Sequence, residues 1–143
     1  LFFQTIGPDK LNQLRHVRFF SDLASIHAHM EKHAAIVRPR FQAVQEILTQ
    51  ELAGKGIASW TRPEGGYFVS FDAPEGCARA IVKMAAEAGV KLTPAGSTYP
   101  LKKDPRDNNI RIAPTFASVA DVRTAVDVLA ICTKIVAIYQ LTV

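Results

Sequence analysis

Cysteine, methionine and tryptophan are scarce, with two, two and one copies among 143 residues. No apolar run reaches the ~18 residues that a membrane span needs. The nearest stretch, residues 125–143, is interrupted by Asp127, Lys134 and Gln140, so no membrane partner is expected. No charged-then-apolar-then-small leader is present either. The two cysteines, Cys77 and Cys132, each sit in an apolar helical pattern and read as small core residues, not as a disulfide or a metal pair. That usage fits a reducing, cytoplasmic setting. Neither sign of charge dominates: 17 basic residues against 13 acidic ones leave +4. The basic residues are scattered, densest at Arg38 and Arg40 and at Lys102, Lys103 and Arg106. A nucleic-acid footprint needs a stripe on one face, and none is visible.

What is present suits a folded domain. Hydrophobic residues make up 48% and charged residues 21%, near the globular average. Gly7, Pro8 and Asp9 read as a helix start, followed by Leu11, Leu14 and Val17 at helical spacing. Ser21 is the next candidate N-cap. Met30, Ala34, Val37, Phe41, Val44, Leu48 and Leu52 then step by three or four along one helix face. This register runs straight through Pro39, which predicts a kinked helix and not a stop. A helix over 22–53 would span roughly 48 Å at 1.5 Å per residue, longer than a small domain is wide. Together with a start at Leu1 in the apolar run Leu1, Phe2, Phe3, it suggests a piece of a longer protein.

Gly54 and Gly56 end the helix. Strands are predicted over 57–60 and 67–72, joined by a turn at 62–66. In the second strand Tyr67, Val69 and Phe71 share one face, and Phe68 and Ser70 share the other. Aromatics on both faces predict that both are covered. A helix over 76–88 would turn Ile81, Met84, Ala85 and Ala88 inward and stop at Gly89. Residues 90–93 read as a short strand. Residues 94–108 show no period, and loops this long are commonly functional or mobile. Residues 110–113 form a last strand. Ser118 and Asp121 form a capping box for a final helix with Val122, Val126, Leu129, Thr133 and Val136 inward. The expected fold is α/β (α+β): a small, largely antiparallel sheet covered by helices, preceded by a long kinked helix.

Most candidates for chemistry fail on context. His29 and His33 have metal-chelating spacing, i and i+4, but no zinc-protease glutamate follows; a solvated helix face is the plainer explanation. Glu64–Gly65–Gly66 lacks the Lys-Ser/Thr sequel of a phosphate loop. Ser97 after Gly96 lacks the frame of a nucleophile elbow. Arg111 differs, because it interrupts an apolar strand. A buried guanidinium needs an anion. Either a structural salt bridge or solvent satisfies it, or it is a two-pronged clamp for a carboxylate or phosphate.

Four runs occur in a recognisable order: Pro8–Asp9–Lys10–Leu11–Asn12–Gln13–Leu14–Arg15–His16, Pro63–Glu64–Gly65–Gly66–Tyr67–Phe68, Thr93–Pro94–Ala95–Gly96 and Asn109–Ile110–Arg111–Ile112–Ala113–Pro114. Together they resemble the C-terminal part of a pyridoxal-phosphate-dependent aminotransferase of fold type I, in its MocR-like or aspartate-aminotransferase-like branch. The resemblance implies residues 1–21 as the tail of a large domain with a connecting helix, 22–54 as the interdomain helix, and 55–143 as the small domain. It implies that Arg111 binds the α-carboxylate of an amino-acid or 2-oxo-acid substrate. Gly65, Gly66, Tyr67, Gly96 and Ser97 would face the same cleft.

The Schiff-base lysine signature of that family is absent, so the resemblance implies pyridoxal 5'-phosphate held by a missing large domain. It further implies a homodimeric parent enzyme of amino-acid metabolism, and a fragment inactive by itself that exposes Met30, Val37 and residues 1–3. Two alternatives stay open. The same domain can serve as the effector sensor of a transcriptional regulator, or the chain can be a non-catalytic α/β interaction domain in which Arg111 is structural.

Overall fold

The computed structural model describes residue 7 and residues 9–142. Pro8 and the Leu1–Phe3 stretch lie outside the described residues. The chain divides into two compact units, Leu1–Val37 and Arg38–Val143.

The first unit holds α1 (Lys10–Phe19) and the start of α2 (Leu23–Leu52). Asp9 is the N-cap of α1, its carboxylate accepting the Asn12 N–H at 2.9 Å. Leu11, Leu14, Val17 and Phe19 are exposed. The cap of α2 is one residue later than expected. Asp22, not Ser21, accepts the Ser25 N–H at 2.7 Å, and Ser25 Oγ accepts the Asp22 N–H at 3.3 Å. A shared pair of bonds with Ser25 favours Asp22, since satisfying two orphan donors outweighs one. Met30 is exposed and Val37 half-buried.

The second unit begins within α2, which continues unbroken through Pro39. Its apolar register becomes a core face there: Ala43, Val44, Ile47, Leu48 and Leu52 are buried. The strands are β1 (Ser59–Trp60), β2 (Val69–Asp72) and β3 (Asn109–Ile112), antiparallel in the order β1-β2-β3. The helices are α3 (Ala78–Glu87) and α4 (Val119–Leu141), with a 3-10 turn at Pro100–Lys102. The capping box at Ser118 forms as expected. Its Oγ accepts the Asp121 N–H at 3.1 Å and its hydroxyl donates to Asp121 Oδ2 at 2.6 Å. All five residues expected inward on α4 are buried. By length and composition α4 is apolar enough to cross a membrane, despite Asp127, Lys134 and Gln140. Its apolar character has a second account, since its inner face joins Phe71, Ile81, Ile110 and Leu48 in one core cluster.

Three expectations are corrected. Residues 90–93 do not form a strand. Val90 and Leu92 are partly buried against the core, so their apolar alternation reflects packing without a ladder partner. Ala88 is exposed and Met84 only half-buried, because α3 ends at Glu87 and presents Ala78, Ile81 and Ala85 to the core. The two faces of β2 are not both covered. Val69 and Phe71 are fully buried, whereas Tyr67 and Phe68 are 66% and 47% exposed. The strand starts two residues after Tyr67, so the aromatics that suggested a covered second face lie ahead of it.

The covered side is anchored from α2. The Trp60 indole N–H donates to Gln45 Oε1 at 3.0 Å, and Gln45 Nε2 donates to the Thr61 carbonyl at 3.0 Å. Ion pairs Arg123–Glu46 and Lys134–Glu51 tie α4 to α2. The other sheet face carries Ser70, Asp72, Asn109 and Arg111, since side chains alternate along a strand.

Candidate functional site

Arg111 stands on this second face, between two isoleucines that point into the core. The antiparallel register places it opposite Ser70, and Asn109 opposite Asp72. The guanidinium carbon lies 4.5 Å from the centre of the Phe68 ring. Stacking on an aromatic face suits a guanidinium and holds its fork in plane. Nε of Arg111 is buried and has no hydrogen-bond partner. No carboxylate among the described residues pairs with Arg111. A desolvated cationic donor without an acceptor is costly, so the arrangement favours an incoming anion.

Asn109 organises the ground beside it. Its Nδ2 donates to Asp72 Oδ1 at 2.7 Å and to Ser70 Oγ at 2.8 Å, and its Oδ1 accepts from the Thr98 hydroxyl at 2.8 Å. A carboxylate oxygen accepts from the NH2 side of an amide, so the Asp72 contact fixes the amide orientation. Ser70 is itself pinned: its N–H donates to Thr61 Oγ1 at 3.0 Å, and its carbonyl accepts the Thr61 N–H at 2.9 Å.

Residues 94–108 are held, not loose. Asp104 is 5% exposed. Its carboxylate accepts the N–H groups of Arg106 at 3.0 Å and of Asn108 and Asn109 at 2.9 Å each. Burial pushes the Asp104 carboxyl up, but those three N–H donors and the Arg106 charge outweigh it and leave the pKa below the usual carboxylate range. Leu101, Lys102 and Asp107 adopt left-handed backbone, with φ of 56°, 56° and 46°, uncommon for non-glycine residues.

The residues singled out from sequence are placed as follows. Gly96 has φ +81°, and a Cβ there would lie 2.5 Å from the Lys102 carbonyl oxygen. It permits a close backbone crossing that no side chain allows. The Ser97 hydroxyl donates to the Pro94 carbonyl at 2.6 Å, so it serves its own turn. Gly65, Gly66 and Tyr67 are exposed in the connection from β1 to β2. Of that segment it is Phe68 that reaches Arg111. Ser70, Thr98, Asp104 and Asn109 were not singled out from sequence. The available signal was a polar residue at every second position in two otherwise apolar strands.

Other candidates gather nothing further. A cavity of about 170 Å³ lies beside β3, lined by the polar residues Arg111, Lys91, Thr93 and Asp121 and by apolar residues such as Leu92 and Ile112. Ser70, Asn109 and Thr98 are not part of its walls. Nε2 of His29 and of His33 are 2.9 Å apart, but no group of three metal-ligating side chains occurs among the described residues. Cys77 and Cys132 are buried and free. Burial pushes both thiols up, aided at Cys77 by the Asp107 charge; low thiolate content disfavours nucleophilic chemistry.

The whole chain, residues 1–143, matches the family model described as aspartate aminotransferase. The chain belongs to that family. A curated aspartate aminotransferase of Corynebacterium glutamicum is 47% identical over 132 residues, which are 92% of this chain and 31% of that protein. A crystal structure of an aspartate transaminase from the same organism superposes with a TM-score of 0.90 at 45% identity, covering 96% of this chain and 32% of its own. A kynurenine aminotransferase of Pyrococcus horikoshii, solved with PMP, gives a TM-score of 0.65 at 25% identity over 76% of this chain and 26% of its own. The chain thus spans about a third of the length of the curated relatives it matches. The three-stranded antiparallel sheet and four helices of the described residues match the C-terminal domain of fold-type I aminotransferase structures.

Among the described residues no lysine is enclosed as a Schiff-base partner for pyridoxal phosphate; Lys91, at the rim of the cavity beside Arg111, is exposed. A site for that cofactor needs a lysine set in a pocket as Schiff-base partner. Lys10, Lys32, Lys55, Lys83, Lys91, Lys102 and Lys103 are all exposed. Lys134 is ion-paired with Glu51.

Proposed function

We propose that this chain is the substrate-gripping small domain of a pyridoxal-phosphate-dependent aminotransferase, and that Arg111 binds the α-carboxylate of an amino-acid or 2-oxo-acid substrate. The observation that carries the proposal is the buried Arg111 Nε without an acceptor, beside a guanidinium stacked on Phe68. The aspartate aminotransferase named among the relatives supports an acidic amino acid as substrate. Cofactor binding falls to the part of the protein outside this chain, and the second substrate anchor to that part or to the partner subunit of a homodimer. The protein works in the cytoplasm.

Arg111's contribution is orientation. Two parallel N–H donors meeting two carboxylate oxygens fix the substrate about both the bond axis and the carboxylate plane. That grip sets the direction of the Cα–H bond, and orientation supplies a large share of the rate in such reactions. The apolar ring of Phe68 beneath the guanidinium limits water on that side and strengthens the pairing. The fragment without its large domain is expected to transaminate nothing.

The test uses the full-length protein loaded with pyridoxal phosphate. Aspartate added without a 2-oxo acid is expected to convert the cofactor's absorption in a single half-reaction. A spectrum that shifts but never converts overturns the enzyme assignment in favour of a sensor. Failure of Arg111→Ala to weaken aspartate binding overturns the clamp.

A further inference from the structure

Ser70 stands directly opposite Arg111 in the β2–β3 ladder, and both side chains leave the same sheet face. Its hydroxyl oxygen accepts a hydrogen bond from Asn109 Nδ2 at 2.8 Å. Asn109 has no choice in this. Asp72 Oδ1 accepts from the same nitrogen at 2.7 Å, and a carboxylate can only be met by the NH2 side of the amide. The remaining amide proton therefore goes to Ser70 Oγ. Because that oxygen is engaged as an acceptor, the Ser70 proton must be donated elsewhere. It finds no acceptor among the described residues. Two donors thus lack acceptors side by side: the Ser70 O–H and the Arg111 Nε–H.

The geometry points to Ser70 as a second binding residue of the carboxylate site, donating its hydroxyl proton to the anion that Arg111 holds. Asp72 and Asn109 are positioning residues that set the direction of that proton. This rests on the carboxylate assignment of Arg111 above. The Ser70 backbone is pinned on both sides by Thr61, so the hydroxyl is presented with little freedom to lose on binding. Thr98 completes the relay by donating to Asn109 Oδ1 at 2.8 Å.

The experiment uses the full-length holoenzyme. Binding of succinate, a dicarboxylate that cannot react, is followed by titration, and KM and kcat are measured with aspartate and 2-oxoglutarate. Ser70→Ala is expected to raise the succinate Kd and the aspartate KM about tenfold, the scale of one hydrogen bond to a charged group. Ser70→Thr keeps the hydroxyl and is expected to restore both to within about threefold. Asp72→Asn frees the amide to turn, and is expected to weaken succinate as Ser70→Ala does, with no further loss in the double variant. Arg111→Ala runs alongside. If it weakens succinate strongly while Ser70→Ala changes nothing, Ser70 is not a donor and the clamp stands. If Arg111→Ala itself changes nothing, the clamp falls and Ser70 with it. Strictly multiplicative losses for Ser70→Ala and Asp72→Asn overturn the positioning role.

Discussion

The Thr98 hydroxyl donates to Asn109 Oδ1 at 2.8 Å, and so fastens the 94–108 segment to the sheet face that carries Arg111. The segment is clamped again by Asp104, which accepts the N–H groups of Arg106, Asn108 and Asn109. The placement of Arg111 therefore depends on residues up to 13 positions before it.

Arg111→Ala is expected to lower kcat/KM of the full-length enzyme by about 3 kcal/mol, near 150-fold, because a desolvated charge pair loses one partner. Arg111→Lys keeps the charge but not the planar fork, and most of the loss should remain. Steady-state kinetics with aspartate checks both, and a wild-type value for either variant removes the clamp.

Asp104 makes stability depend on pH. Its folded pKa lies below the ordinary value of about 3.9. It therefore stabilises the fold above that value, and the contribution is lost as pH falls through the lower folded pKa. Asp104→Ala leaves the two buried N–H groups of Asn108 and Asn109, and the part-buried one of Arg106, without their acceptor and is expected to cost about 2 kcal/mol or more near neutrality. Melting curves should show the gap between wild type and variant closing in the acid range below about pH 4. A gap independent of pH contradicts the assignment.

Gly96→Ala combines a left-handed backbone with a Cβ only 2.5 Å from the Lys102 carbonyl oxygen. A loss of about 2 kcal/mol or more is expected, since the obstacle is backbone and cannot swing aside. Chemical denaturation measures it. The same change at Gly65, where a Cβ meets nothing within 4 Å, should stay within about 0.5 kcal/mol.

Phe71→Ala removes the largest fully buried side chain of the second unit. A loss of about 3–5 kcal/mol is expected from transfer and cavity terms together. Denaturant midpoints check this against Phe116→Ala, whose ring is 99% exposed and whose removal should leave the midpoint nearly unchanged.

Local signals were the legible part of the fold. The Ser118 capping box and the inward face of α4 follow from spacing that a helix imposes on near neighbours. The run of α2 through Pro39 was readable because its apolar register does not slip there. Residues 90–93 misled because alternation marks packing as readily as pairing, and a ladder needs a distant partner that no local pattern names. Asp22 displaced Ser21 as a cap through a reciprocal bond with Ser25 that depends on turn geometry. At the site, Arg111 stood out because a charge between isoleucines is conspicuous. Ser70 and Asn109 did not, because their meaning lies in a register joining residues 39 positions apart.

The alternation of β2 and β3 has an evolutionary consequence. Residues 69, 71, 110 and 112 build the interior, while 70, 72, 109 and 111 stand on the opposite face of the sheet, where the proposed carboxylate site lies. Each strand thus carries two interleaved texts, one answering to folding and one to chemistry. A family built on this ladder is free to revise its recognition set one odd or even position at a time while the interior stays as it was.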